Sequence, residues 1–317
     1  MRTADDGPIL VTGAAGQLGA VGRTVTELLL ERGLPVRAMV RREDDRAEAL
    51  RAAGAEVVVG DLLEPSDVYR VVHGCRRAYF GMSVSAGYLE ASVLMAAVAR
   101  KVGVDALVNM SQMTVSQMSI QNTTKSRQQR QHWLSEQALA WSGLPVVTIR
   151  PTIFLESFLP LVAPTVREKG RILLPFGRGK TSPVSAEDVA RVVAAVLAEP
   201  APHLGGIYEL TGPLSQDMHG VAREFSDALN REVTYSDVPP ELWEEELKKQ
   251  GVPEHLIGHL VTMGELHRAD RYDRLADGVR RVTGRPAMSV REFVSRHADE
   301  FGGRRQNSHS NAELNQL

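Results

Sequence analysis

The stretch Ile9-Leu10-Val11-Thr12-Gly13-Ala14-Ala15-Gly16-Gln17-Leu18-Gly19 runs from a short apolar segment straight into three glycines spaced three apart. Glycines mark turns of many kinds, and the spacing alone says little. Its context is more specific, because a brief strand-like run at 9–12 enters the turn and a helical pattern at 24–32 leaves it. In that setting Gly13 permits the sharp exit from the strand and Gly16 lets backbone approach a pyrophosphate. Gly19 is expected to let the following helix sit close to the sheet. The helix N-terminus adds unpaired N–H groups and the positive end of a dipole. The turn therefore predicts a dinucleotide-binding strand–turn–helix, with Thr12, Gly13, Ala15, Gly16, Gln17, Leu18 and Gly19 around the phosphates.

Outward from the turn the same rhythm repeats. Brief apolar runs at 36–40, 56–59, 78–80, 106–109 and 146–149 read as buried strands. Between them, 46–53, 66–73, 89–102 and 126–141 carry apolar residues at helical spacing, which implies βαβ units and a parallel sheet. Gly33, Gly54, Gly74, Gly103 and Gly143 each follow a helical pattern, where a left-handed cap is expected. The fold class is α/β, a Rossmann doubly wound parallel sheet. After Arg150-Pro151 the rhythm changes to a helix at 156–166, a strand at 172–176, a helix at 186–198 and a strand at 206–210. Helical patterns at 216–229, 240–250, 255–268 and 289–300 follow. Residues 1–152 with about 183–200 are expected to form the Rossmann domain. Residues 153–182 with 201–301 are expected to form a smaller, mostly helical substrate-binding lobe. The tail at 302–317 is polar, so disorder or docking on a second copy in a homodimer is expected.

Bulk properties narrow the function classes. The 317 residues are 43% hydrophobic and 24% charged, ordinary for a soluble domain. A net charge of -2 gives no electrostatic reason to bind nucleic acid or an anionic membrane. Cys75 is the single cysteine, which excludes an internal disulfide framework and fits a reducing compartment. The first eight residues lack an apolar signal region, and no stretch approaches the ~18 uninterrupted apolar residues of a membrane span. These features predict a cytoplasmic enzyme acting on a small molecule.

The second strand chooses the dinucleotide. Its exit reads Val40-Arg41-Arg42-Glu43-Asp44, and arginines there suit the 2′-phosphate of NADP, whereas an acid would suit the ribose of NAD. NADPH is expected on Arg41 and Arg42, with NADH left open by Glu43. Asp61, with Leu62 beside it, closes Val58-Val59-Gly60-Asp61-Leu62 and can accept from the adenine amino group or serve as a turn acid.

Taken together, Val11–Gly19, Val58–Leu62, Val108-Asn-Met-Ser111 and Gly143-Leu-Pro-Val-Val-Thr-Ile-Arg-Pro151 resemble the NmrA-like atypical short-chain dehydrogenases/reductases. Pro183-Val-Ser-Ala-Glu-Asp-Val-Ala190 and Thr283-Gly-Arg-Pro286 with Phe293 extend the likeness over nearly the whole chain. The resemblance implies the Rossmann fold and an NAD(P)H cofactor. Members include quinone, azo-dye and triphenylmethane reductases, relatives of isoflavone reductase, and redox-sensing regulators, so it fixes fold and cofactor better than reaction. One departure follows Gly19: the junction through Gly22 and Arg23 is about three residues longer than the family pattern. Either it extends the lip over the pyrophosphate or the helix starts later.

Ligands of open α/β sheets bind outside the carboxyl ends of the strands. That places Phe80, Gly81 and Met82, then Ser111, then Pro151, Thr152, Ile153 and Phe154 around the cofactor. Short-chain dehydrogenases use a Tyr-x-x-x-Lys pair on the helix after the fifth strand, and the matching positions here are Gln128 and His132. No tyrosine lies between Tyr88 and Tyr208, so that pair is absent. Gln128, His132, Ser135 and Leu139 share one helix face, while Leu134, Ala138 and Trp141 form another that suits the core. His132 is then free to face the cofactor, as a proton donor titrating near neutrality or as a neutral hydrogen-bond partner. Ser111 is expected to orient a substrate carbonyl or to serve the strand end. Trp133, Phe154, Phe158 and Trp243 are candidates for an aromatic cleft or for the core. His255 and His259 have zinc-ligand spacing without the acid or third ligand, so no metal is expected. The expected function is NADPH-dependent reduction of a small planar substrate, quinone-like or otherwise aromatic. The alternatives are an NADP(H)-sensing regulatory protein without turnover and a redox-neutral biosynthetic enzyme that holds the nucleotide structurally.

Overall fold

The alternation of strands and helices is realised in the computed structural model, which describes residues 7–16 and 21–303. Its first half runs β1 (Ile9–Val11), α1 (Val21–Glu31), β2 (Val36–Val40), α2 (Asp45–Ala52), β3 (Glu56–Val59) and α3 (Pro65–Val72). It continues through β4 (Arg77–Phe80), α4 (Tyr88–Val102), β5 (Ala106–Met110), α5 (Arg127–Trp141) and β6 (Val146–Pro151). The second half holds α6 (Phe158–Lys169), β7 (Arg171–Leu174), α7 (Ala186–Ala198), β8 (Ile207–Leu210) and α8 (Met218–Leu229). After them come β9 (Thr234–Asp237), α9 (Pro240–Lys249), α10 (Glu254–Arg268), α11 (Gly278–Thr283) and α12 (Val290–Arg296).

Among the described residues the main sheet has seven parallel strands in the order β3-β2-β1-β4-β5-β6-β8. β1 lies inside it, with Val11 beside Ala38 and Tyr79, and all three β1 residues are fully buried. Helices cover both faces, which is why the inner strands are apolar throughout rather than alternating. One apolar layer joins α1 and α7 to the sheet through Val25, Leu29, Val189 and Val193, and the other joins α3 and α4 through Val68, Val71, Ala91 and Met95. The five expected stop glycines all adopt positive φ, and at Gly103 (φ 77°) the N–H closes α4 on Ala99 O.

The expected domain boundary moves in one place. Residues 207–210 fall in the range assigned to the lobe, yet β8 pairs with β6, Ile149 beside Tyr208 and Pro151 beside Leu210, as the last strand of the main sheet. Its outer position explains its pattern, with Ile207 exposed and Leu210 buried. α11 packs on α7 and β8 and so belongs with the sheet too. The lobe is less purely helical than expected: β7 and β9 form a parallel ribbon, with Ile172 beside Tyr235. Phe158, Phe176, Phe225, Phe293 and Phe301 fill the lobe's core.

Candidate functional site

The phosphate turn is built by close backbone contacts. Thr12 Oγ1 donates to Gly81 O at 2.9 Å and accepts from Gly81 N at 2.9 Å, tying the exit of β1 to the exit of β4. Gly13 turns with φ 65°, and a Cβ there would lie 2.7 Å from Gly81 O. Gly16 N donates to Gly13 O at 3.1 Å. Gln17, Leu18 and Gly19 lie outside the described residues. Gly22 and Arg23 lie within α1, which is described from Val21, ahead of the expected start at 24. Of the two readings of the junction, they belong to the helix and not to a lip. The close helix–sheet packing expected of Gly19 is found at Gly22, where a Cβ would meet Gly13 O at 2.6 Å and Thr12 O at 2.9 Å. The first turn of α1 carries no acid to oppose a phosphate.

At the end of β2 the acids are engaged and the cations are presented. Glu43 pairs with Arg51 at 3.0 Å, and Asp44 caps α2 by accepting from Arg46 N and Ala47 N. The Arg46 guanidinium beside Asp44 holds that carboxyl down at about 2. Arg41 and Arg42 are largely exposed, Arg41 reaching Asp61 at 3.3 Å. Arg46 also donates to Ala15 O at 2.8 Å, so it joins the phosphate turn to α2. Sequence reasoning missed Arg46; the signal available was a cation in the first turn of the helix that follows β2. Asp61 Oδ1 accepts from Leu63 N at 3.0 Å, as a turn acid does; Leu62 beside it is half-buried.

At the carboxyl ends of β4 to β6 the candidates separate. The Phe80 side chain is in the core against Tyr88, so only its backbone faces the strand exit, while Gly81 is buried and Met82 is half-buried. Pro151, Thr152 and Ile153 are buried, with Thr152 Oγ1 donating to Ser182 O at 2.6 Å; Phe154 is half-buried. The Ser111 hydroxyl donates to the buried Glu136 carboxylate, and Arg150 Nε holds the same oxygen at 3.0 Å. The Ser111 proton is committed to Glu136, which leaves its oxygen as an acceptor rather than a donor to a carbonyl. Glu136 and Arg150 were not singled out from the sequence, although Gln128, His132 and Glu136 stand four residues apart on one helix face.

α5 presents the opposite face to the one expected. Gln128, Ser135 and Leu139 are buried, while Leu134 is 41% and Trp141 79% exposed. The buried face of this helix is polar because it borders the strand exits, and lone apolar residues on a surface are ordinary. His132 lies over the Tyr88 ring at 4.1 Å, and burial pushes its pKa down to about 3. Burial thus favours its neutral form, which suits the second of the two roles considered, a neutral hydrogen-bond partner. Around it, Asn109, Gln112, Thr114, Gln129, His132 and Ser135 carry buried polar atoms with no partner among the described residues. Buried polar groups are nearly always bonded, so this concentration along β5, the turn after it and α5 suits an absent ligand. With the phosphate cradle, it makes these residues a fit for a dinucleotide.

The sequence profile of the NmrA-like family matches residues 5–292. The chain belongs to the NmrA-like family. A curated relative, the NAD(P)H azoreductase of Xenophilus azovorans, is 30% identical over 296 residues, spanning 93% of this chain and 99% of that protein. The Escherichia coli NADPH-dependent quinone oxidoreductase solved with NADPH has a TM-score of 0.80 at 24% identity, covering 92% of this chain and 99% of that one. NmrA, a negative transcriptional regulator solved with NADP, has a TM-score of 0.75 at 18% identity, covering 91% and 94%. These two likenesses speak to the fold.

Two further groups of candidates have their places in this NmrA-like chain. Phe158 and Trp243 lie in the lobe's core instead of lining a cleft, because the lobe's small apolar interior takes up its large side chains; Trp133 is half-buried. His259 Nδ1 lies 3.0 Å from Ser126 Oγ, the N-cap of α5, while His255 on the same helix is exposed. Among the described residues no cluster of His, Cys, Asp and Glu is arranged to hold a metal. A 180 Å³ cavity beside α10 is lined by Gln117, Asn122, Lys125, Thr262, Glu265 and Arg271. No helix among the described residues is long and apolar enough to cross a membrane.

Proposed function

We propose that this chain is an NADPH-dependent reductase that passes a hydride to a small planar acceptor, a quinone or a related aromatic compound. The observation that carries the reading is the likeness to an NAD(P)H azoreductase along 93% of the chain. The preference for NADPH rests on Arg41, Arg42 and Arg46 gathered at the end of β2, with Glu43 held by Arg51 and Asp44 capping α2 and pairing with Arg42 and Arg46. When bound, NADPH supplies the hydride. The residues of the phosphate turn hold the pyrophosphate, and the β5 and β6 exits with α5 hold the other end. Ser111, with its proton given to Glu136, offers a fixed acceptor oxygen. A quinone takes up charge readily and can be protonated from water, so no tyrosine acid is required.

Steady-state NADPH oxidation with a panel of quinones and azo dyes tests this directly. Arg41→Ala is expected to raise KM for NADPH by about tenfold and leave NADH little changed, as loss of a charge-assisted phosphate contact does. Tight NADPH binding with no turnover on any acceptor would sink the reductase reading.

That outcome would favour a second reading, a protein that senses the NADPH/NADP ratio without turnover. It is motivated by Gln128 and a neutral His132 in the positions of the usual catalytic pair. It predicts an oligomeric state or partner affinity that differs between NADPH and NADP on gel filtration, and identical behaviour with both would count against it.

A further inference from the structure

Gln128 is buried, and its amide is not free to turn. The backbone N–H of Ser85, in the loop between β4 and α4, donates to Gln128 Oε1 at 3.2 Å. Only the oxygen can take that bond, so the amide nitrogen occupies the other corner, 3.2 Å from His132 Nε2. An amide nitrogen donates and offers no lone pair. His132 Nε2 therefore accepts, and it carries no hydrogen. A neutral imidazole has one ring proton, which must then sit on Nδ1. Neutrality follows from the surroundings: the ring is packed on Tyr88, and neither nitrogen is bonded to a carboxylate. The same loop is pinned a second time, by Gln131 Nε2 donating to Ala86 O at 2.7 Å, so the arrangement is held from both ends.

The Nδ1 atom is buried and has no partner among the described residues. A buried N–H is nearly always paired, and its partner must be an acceptor. Arg150, at the exit of β6, is already paired with Glu136 and is not free to balance an anionic oxygen. A hydroxyl can turn a lone pair to this N–H, so carbonyl and hydroxyl oxygens both qualify, whereas an ammonium would meet it with hydrogen. We infer that His132 Nδ1–H is the donor of a subsite for an uncharged acceptor oxygen, with Gln128 and Ser85 as the positioning residues that fix its tautomer. Two sources present that oxygen: the nicotinamide riboside half of the dinucleotide, and the carbonyl of a quinone acceptor. The second source rests on the reductase reading above, and the first does not.

The test uses the full chain labelled with ¹⁵N. Two-bond ¹H–¹⁵N correlations of the His132 ring are expected to show the Nδ1–H tautomer in the free protein. In Gln128→Glu the carboxylate can only accept, so the proton is expected to move to Nε2. NADP⁺ is then added to the wild type, followed by 1,4-naphthoquinone, a pair that cannot turn over. A shift of Nδ1 at the first step assigns the dinucleotide, and a shift only at the second assigns the acceptor. His132→Phe keeps a ring on Tyr88 and is expected to weaken the assigned ligand by about tenfold. An Nε2–H tautomer in the free wild type, or an Nδ1 resonance unmoved at both steps, would overturn the subsite. Absent turnover with a shift on NADP⁺ would end the reductase reading and keep the subsite; turnover with no shift would do the reverse.

Discussion

A methyl group on Gly22 would sit 2.6 Å from Gly13 O and 2.8 Å from Gly13 C, both backbone atoms at the exit of β1. No rotamer relieves such a contact, so α1 would have to lift off the sheet and carry the phosphate turn with it. Overpacking of this kind costs about 1–3 kcal/mol. Gly22→Ala is expected to weaken NADPH binding by about tenfold or more in a fluorescence titration and to lower Tm. Gly16→Ala, whose Cβ would meet Gly13 O at 3.2 Å, should do less. A Gly22→Ala protein that binds like the wild type would refute this account of the turn. At Glu136 the expected loss is larger, because Glu136→Ala leaves the Arg150 guanidinium buried without its carboxylate. Breaking a buried pair costs about 3–5 kcal/mol, readable as a lower urea midpoint. Glu136 was legible as the next member of a polar stripe. Its partners were not, since Ser111 and Arg150 lie on strands that only the folded sheet brings beside α5.

At the scale of elements, local demands were readable and choices among partners were not. A helix that ends on glycine needs a left-handed residue wherever it packs, so the five stops were visible in the sequence. The N-cap of α7 was equally local: Ser185 accepts from Asp188 N at 3.0 Å. β8 has to find β6 across more than fifty intervening residues, and nothing in Ile207–Leu210 names that neighbour. α5 misled for another reason. Apolar spacing locates a core only where the buried face is apolar, and here that face is polar and borders the strand exits. Trp141 is therefore expected to tolerate Trp141→Gln with a change in unfolding free energy within about 0.5 kcal/mol. A large loss would show that the exposed ring is covered in solution.

The whole molecule answers to pH through groups buried in their neutral form. Burial depresses His132 and His267 to about 3 and His259 to about 4. His267 is stacked between Phe176 and Tyr272 at 3.8 and 4.0 Å, and Met263 O lies 2.8 Å from its Nδ1. For a base whose folded pKa lies below its unfolded value near 6.5, the stabilising contribution is present above that value. It is lost as pH falls toward the folded pKa. Glu156, which accepts from Ala186 N at 2.9 Å, runs the other way, since burial raises it to about 7. Its contribution is full below about 4.5 and is lost as pH rises through 7. Urea unfolding at pH 5, 6.5 and 8 is expected to show lower stability at both extremes. His267→Gln should flatten the acid limb and Glu156→Gln the alkaline limb; unchanged slopes in both would contradict the assignment.

The sheet also has an order of manufacture. β1 to β6 leave the ribosome first, whereas α7, which packs on α1, and β8, which finishes the edge, follow only after β7 has been made. Until then the side of α1 that packs on α7 is uncovered, although its other contacts on β1 and β2 are already in place. A nascent chain in that interval carries an open apolar surface, a natural target for holding chaperones. The same consequence reaches the bench: a fragment ending at residue 152 is expected to be digested rapidly by thermolysin, and a resistant fragment would show that the first half folds without waiting for the second.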